Sequence, residues 1–287
     1  MEVDPAVLLP SRPVACAIRY RPDSSFESRE VRAVLRAVET YQYRRTQQTG
    51  KTTTVVTHTD HDEVVRAEAQ LAGPMAFRAG EEVAWETSWE LEHLAPPTFE
   101  GSDVLRCDWS LEITVDRAWT VDEHCLVPIR VAQPTAPLRA GVVATGQYGL
   151  FEDAPVNIDA NPAQIRLDPV PVSVAHPFTG ELRLQTPEAI EVQEVRLELR
   201  VKTHCTERGG LSDELLIASG RLDTPTGTFG GPFAEHPFSA SAPGVWTPSV
   251  DLRHGTARAQ FHVILARAWA PDIHYVRDVA LASAVEL

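Results

Sequence analysis

Apolar residues recur along much of this chain at every second position. From Glu194 to Lys202, Val195, Leu197, Leu199 and Val201 alternate with Arg196, Glu198, Arg200 and Lys202, the pattern of a strand with one buried and one wet face. Comparable runs predict strands over 13–20, 83–91, 105–115, 126–131, 180–185, 259–267 and 274–282. Turn clusters such as Pro22-Asp23-Ser24-Ser25 and Pro225-Thr226-Gly227 punctuate them. One stretch is ambiguous when read alone: Val31, Val34, Leu35 and Val38 have the i, i+3, i+4, i+7 spacing of an amphipathic helix.

An internal repeat settles that stretch. The opening segment aligns without a gap on the one beginning at Ile165. Asp4 falls on Asp168, Pro5 on Pro169, Pro13 on Pro177, Arg19 on Arg183, Glu30-Val31-Arg32 on Glu194-Val195-Arg196 and Leu35-Arg36 on Leu199-Arg200. At a shorter separation Asp62-Glu63-Val64-Val65 falls on Asp213-Glu214-Leu215-Leu216, so a loop has lost residues in the second copy. Arg117-Ala118-Trp119 then matches Arg267-Ala268-Trp269, Asp122 matches Asp272, and His124 matches His274. Homologous segments share one structure, so Val31 to Val38 should be a strand as well. The reading is all-β: two tandem immunoglobulin-like β-sandwich domains, 1–132 and 164–287. The connector, 133–163, holds Val142-Val143-Ala144 and Tyr148-Gly149-Leu150-Phe151, apolar residues that predict packing against a sandwich.

The order of these strings resembles the arrestin-like superfamily, most closely the bacterial sporulation-control arrestin-like proteins. An x-V-D-P opening leads to Pro13 through Tyr20, then to Glu30-Val31-Arg32 with Leu35-Arg36, a long hairpin, and Pro96-Pro97-Thr98-Phe99-Glu100-Gly101. Asp108-Trp109-Ser110-Leu111-Glu112-Ile113 closes the first copy. In the second copy Phe233 through Phe238, Pro243, Trp246 through Ser249 and Phe261 through Leu265 take the corresponding places. The resemblance implies tandem arrestin-like sandwiches and a non-catalytic adaptor or scaffold that binds other proteins, in a regulatory role of the sporulation-control or stress type. It carries over no phosphate sensor and no PPxY docking motif.

Composition narrows the function classes. Among 287 residues, 40 Asp and Glu face 26 Lys and Arg, a formal net charge of -14. Such a surface repels phosphate backbones, so no nucleic-acid partner is expected. No apolar run is long enough to predict a transmembrane segment, and the start lacks the features of a signal peptide, which makes the cytoplasm the expected location. Cys16, Cys107, Cys125 and Cys205 stand singly without metal-ligand spacing and read as reduced thiols.

No motif of enzyme chemistry emerges, so the chain is read as not an enzyme, with no cofactor and no metal. Thr49-Gly50-Lys51-Thr52 looks like the end of a phosphate loop, but Arg45 stands where the first glycine belongs and β-branched residues follow instead of a helix. His58-Thr59-Asp60-His61-Asp62 has zinc-type donors, yet on a strand His61 points away from the other three, which favours a solvated polar hairpin. His124, His274, Trp119 and Trp269 recur in both copies, which suggests roles in the fold such as half-buried rings capping strand ends. Trp85 and Trp89 share a strand face and read as core. Their alternative is an aromatic platform, the feature on which a carbohydrate- or small-ligand-binding module would rest. Protein partners are expected at exposed strand edges, through main-chain pairing with another chain or with a second copy.

Overall fold

The computed structural model describes residues 2–4, 7–8, 13–49, 52–91, 95–132, 163–168, 172–173, 178–184, 190–222, 227–229, 234–240, 246–279 and 281–282. The connector residues 133–162, with their apolar patches, lie outside these, as do Gly50, Lys51, Phe233 and Pro243. Among the described residues the fold is all-β and sandwich-like. It divides into two compact units. The first is Met1–Pro134 together with Cys205–Gly210 and Asp251–Gly255; the second is Thr135–His204, Leu211–Val250 and Thr256–Leu287.

In the first unit the strands are β1 (Glu2–Asp4), β2 (Val7–Leu8), β3 (Val14–Tyr20), β4 (Phe26–Thr49), β5 (Thr52–Ala72), β6 (Met75–Phe77), β7 (Val83–Trp89), β8 (Leu105–Arg117) and β9 (Glu123–Val131). One sheet has the order β1-β3-β7, the other β2-β9-β8-β4-β5, with β6 pairing β4 beside β5. Ile18 of β3, Leu35 of β4, Leu111 and Ile113 of β8, Phe77 and Phe99 are all but fully buried. Tyr20 packs edge-on to Phe77 at 5.5 Å and stacks with Trp85 at 6.4 Å, tying β3, β6 and β7 into one apolar layer.

The stretch with helical spacing is part of β4. Val31, Ala33, Leu35, Ala37 and Glu39 are buried, while Arg32, Val34, Arg36 and Val38 are not. The small alanines concealed the alternation. Register shifts between Val31 and Arg32 and between Ala37 and Val38 mark irregularities in its pairing with β5.

The remaining strands are β10 (Ala163–Asp168), β11 (Val172–Ser173), β12 (Phe178–Leu184), β13 (Ile190–Val192), β14 (Glu194–Cys205), β15 (Ser212–Arg221), β16 (Gly227–Phe229), β17 (Ala234–Ala240), β18 (Val250–Asp251), β19 (Gly255–Ala266), β20 (Ile273–Val279) and β21 (Leu281–Ala282), all of the second unit except Cys205, Asp251 and Gly255, which belong to the first. The second unit's order β10-β12-β17 repeats β1-β3-β7, and the parallel pair β11-β21 repeats β2-β9. The repetition extends to single hydrogen bonds. Thr98 N–H donates to the Val131 carbonyl and Val131 N–H to the Thr98 hydroxyl. Ser249 and Leu281 exchange the same two bonds.

Candidate functional site

In the first unit β4 outruns β8. Their pairing ends at Tyr41–Leu105, whereas β4 and β5 stay paired as far as Thr49–Thr52. The result is a two-stranded ribbon. Directly opposed residues share a face, so Glu39, Tyr41, Tyr43 and Arg45 lie on the same side as Asp62, Asp60, His58 and Val56. Tyr41 stacks on Tyr43 at 6.2 Å, Tyr43 stacks on His58 at 5.6 Å, and the Arg45 guanidinium lies 4.8 Å from the Tyr43 ring centre. The Tyr43 hydroxyl donates to Asp60 at 2.6 Å, the first cause of its raised pKa. On the other face Thr40 and His61 pair at 2.9 Å.

β5 is the terminal strand of its sheet, 21 residues long, and no described strand pairs with its outer edge. Thr52, Thr53, Thr54 and Val55 at its start are exposed and uncharged.

Near the base of the ribbon the buried face of β4 carries a carboxylate. Glu39 is 1% exposed, and its two oxygens accept the backbone N–H groups of Arg253 and His254, each at 3.0 Å. The His254 ring stacks on Tyr41 at 4.0 Å, with Nδ1 2.9 Å from Glu207 and Nε2 3.0 Å from Asp62. Carboxylates only accept, so a ring that bonds both must donate from both nitrogens, as an imidazolium does. Burial alone would lower the His254 pKa; the bonds to Asp62 and Glu207 and the charge of Glu39 outweigh it, and the net shift is upward. The bond from His254, with Arg253 at 3.1 Å, holds the Asp62 carboxyl below its usual range.

The loop supplying Glu207 depends on two glycines. Gly209 has φ +80°, and a Cβ on Gly210 would sit 1.9 Å from the Cys205 carbonyl oxygen. Arg44 N–H donates to the Gly209 carbonyl at 2.7 Å. Beside Glu39 lies a half-open cavity of about 520 Å³ within the same unit.

The residues singled out in the sequence meet different fates. Trp85 and Trp89 are buried, at 8% and 4% exposure, so the platform alternative lacks an exposed ring face. Of the His58–Asp62 stretch, His58 and Asp60 both meet Tyr43, while His61 turns to Thr40 on the other face and Asp62 to His254, so the four donors do not share one centre. Trp119 and Trp269 correct the expectation of half-buried rings. Both are fully exposed, with positive φ of 66° and 62°. The cause is the hairpin each occupies, in which Asp122 and Asp272 accept the N–H groups of Arg117 and Arg267. His124 and His274 are likewise exposed, and His124 pairs with the Thr114 hydroxyl at 3.1 Å. All four cysteines are thiols; burial pushes those of Cys16 and Cys107 up, away from reactivity.

Glu39, Glu207, Arg253 and His254 belong to no motif visible in the sequence. Glu39 had a signal, being a carboxylate at the next position of the buried series Val31, Ala33, Leu35, Ala37. No family model matches the chain, and no curated protein matches it in sequence.

Proposed function

We propose that this chain is a non-catalytic cytoplasmic adaptor that binds other proteins, as its resemblance to the sporulation-control arrestin-like proteins implies, with the outer edge of β5 as its docking strand. The observation that carries this reading is that no described strand pairs with that edge. A long terminal strand presents unpaired main-chain donors and acceptors, and natural proteins normally blunt such edges with charge, proline or a covering element. The segment Thr52–Thr57 contains neither charge nor proline. An extended partner segment adds to such an edge by main-chain hydrogen bonds, and the neighbouring side chains set its specificity. Among the described residues no helix is long and apolar enough to cross a membrane.

A photo-crosslinking residue in place of Thr54 in the full chain tests the reading in extracts of the native host. The expected result is a discrete protein adduct, identified by mass spectrometry and lost when Val55→Lys charges the edge. No adduct from the folded protein, or one indifferent to Val55→Lys, overturns it. Light scattering on the purified chain shows whether the docked strand belongs to a second copy.

A further inference from the structure

We propose that the segment docking on the outer edge of β5 is acidic, an extended stretch of a partner protein with two consecutive glutamates beside Val56 and Thr57. This rests on the edge reading above and adds the chemistry of the occupant. Between Glu39 and Asp60 the sequence holds Arg44, Arg45 and Lys51, and all 40 Asp and Glu of the chain lie outside that interval. In a protein with a formal net charge of -14 the ribbon is a basic island.

The structure places two of these charges. Arg44 and Arg45 are exposed. Arg44 stands opposite Thr57 and Arg45 opposite Val56, and as neighbours on a strand they serve the two faces of the ribbon. The Arg44 backbone is fixed by its N–H bond to the Gly209 carbonyl, and Arg45 lies 4.8 Å from the Tyr43 ring centre. Among the described residues neither guanidinium reaches a carboxylate, whereas Arg29, Arg36, Arg106 and Arg130 of the same unit each meet one.

The arginines belong to β4, and the β5 residues between them and the open edge, Val56 and Thr57, are short and uncharged. A strand added to β5 lies about 10 Å from β4, two strand spacings away. A glutamate leaning back and an arginine leaning out close that gap across a short side chain, whereas an aspartate reaches less far. Consecutive residues point to opposite faces, so one glutamate meets Arg45 and the next meets Arg44, each through charge-assisted hydrogen bonds. Farther along β5, Asp60, Asp62 and Glu63 repel an acidic residue placed opposite them, which holds the pair at the level of Val56 and Thr57. Charge of this kind sets partner choice and encounter rate more than affinity.

The test titrates three fluorescein-labelled peptides into the full chain, Thr-Val-Thr-Glu-Glu-Thr-Val-Thr and its counterparts with Gln-Gln or Lys-Lys at the centre, read by fluorescence anisotropy. The expected order is Glu-Glu about fivefold tighter than Gln-Gln, with Lys-Lys weakest, and a preference that fades as salt is raised. Arg44→Gln with Arg45→Gln, both at exposed positions, should bring Glu-Glu to the Gln-Gln level, and Arg44→Glu with Arg45→Glu should make Lys-Lys the tightest. Methylating alternate backbone nitrogens of the Glu-Glu peptide should abolish its binding, because strand addition needs those donors. Equal binding of the three peptides, each lost on N-methylation, overturns the inference and leaves the docking edge standing. A Glu-Glu preference that survives N-methylation or the double Gln variant overturns it, as does displacement of the peptide by duplex DNA or phosphatidylserine vesicles at matched charge. Binding of none of the peptides also overturns it; a crosslink still formed at Thr54 then preserves the edge reading, and its absence removes both.

Discussion

Replacing Glu39 by alanine removes the one group that accepts the N–H bonds of both Arg253 and His254. Each is a hydrogen bond to a charged acceptor, of the kind worth about 1.5–3 kcal/mol, and each N–H loses its partner. Two such losses come to about 3–6 kcal/mol. Against this, the wild-type protein bears the cost of holding a carboxylate at 1% exposure with no cationic side chain in contact among the described residues, a cost the variant escapes. The net destabilisation of the first unit should be about 2–4 kcal/mol, with Glu39→Gln, which keeps one acceptor oxygen, near half of that. Urea unfolding followed by tryptophan fluorescence reads the first quantity, since Trp85, Trp89 and Trp109 are buried in this unit. Amide hydrogen exchange gives the second check: Arg253 and His254 should lose protection out of proportion to other amides of the unit. A change below about 0.5 kcal/mol in Glu39→Ala, or unchanged protection at those two amides, would refute the reasoning.

Stability should also depend on pH through His254. A folded pKa above the unfolded value of about 6.5 makes the stabilisation fully present below that value and lost as pH rises through the folded one; the urea midpoint should therefore fall on the alkaline side of 6.5, and His254→Phe, which keeps a ring on Tyr41, should flatten the fall. His262 has the opposite sign, because burial lowers its pKa, so its contribution is lost on acidification below about 6.5; His262→Gln should reduce the acid-side loss measured in the same titration. Gly210→Ala should cost about 1–3 kcal/mol, since its Cβ would meet the Cys205 carbonyl at 1.9 Å, and should speed exchange of the Arg44 amide. Trp119→Gly should be neutral or stabilising in thermal melts, relieving a positive φ at an exposed ring, whereas Trp85→Ala should cost about 3–5 kcal/mol.

What the chain's pattern discloses is which face of each strand is buried, and the repeat extends that knowledge where one copy is mute. Val31 to Val38 was legible as a strand because its counterpart, Glu194 to Lys202, alternates without the small alanines that blur the first copy. The same repeat misled at Trp119 and Trp269. Recurrence there records the hairpin, with its aspartate on an arginine N–H and its residue at positive φ, and the indoles occupy those turns without being buried by them. Glu39 marks a different boundary. Once period two is assigned, a carboxylate in the buried series is visible in the sequence and demands a partner. Its partners, however, are backbone N–H groups far along the chain, at Arg253 and His254, and every residue but proline has such a donor, so nothing in the side-chain pattern could name them. The chemistry most open to test in this protein therefore lies where a polar residue breaks a buried register. The break is readable from the sequence, but the backbone donors that answer it become visible only in the folded chain.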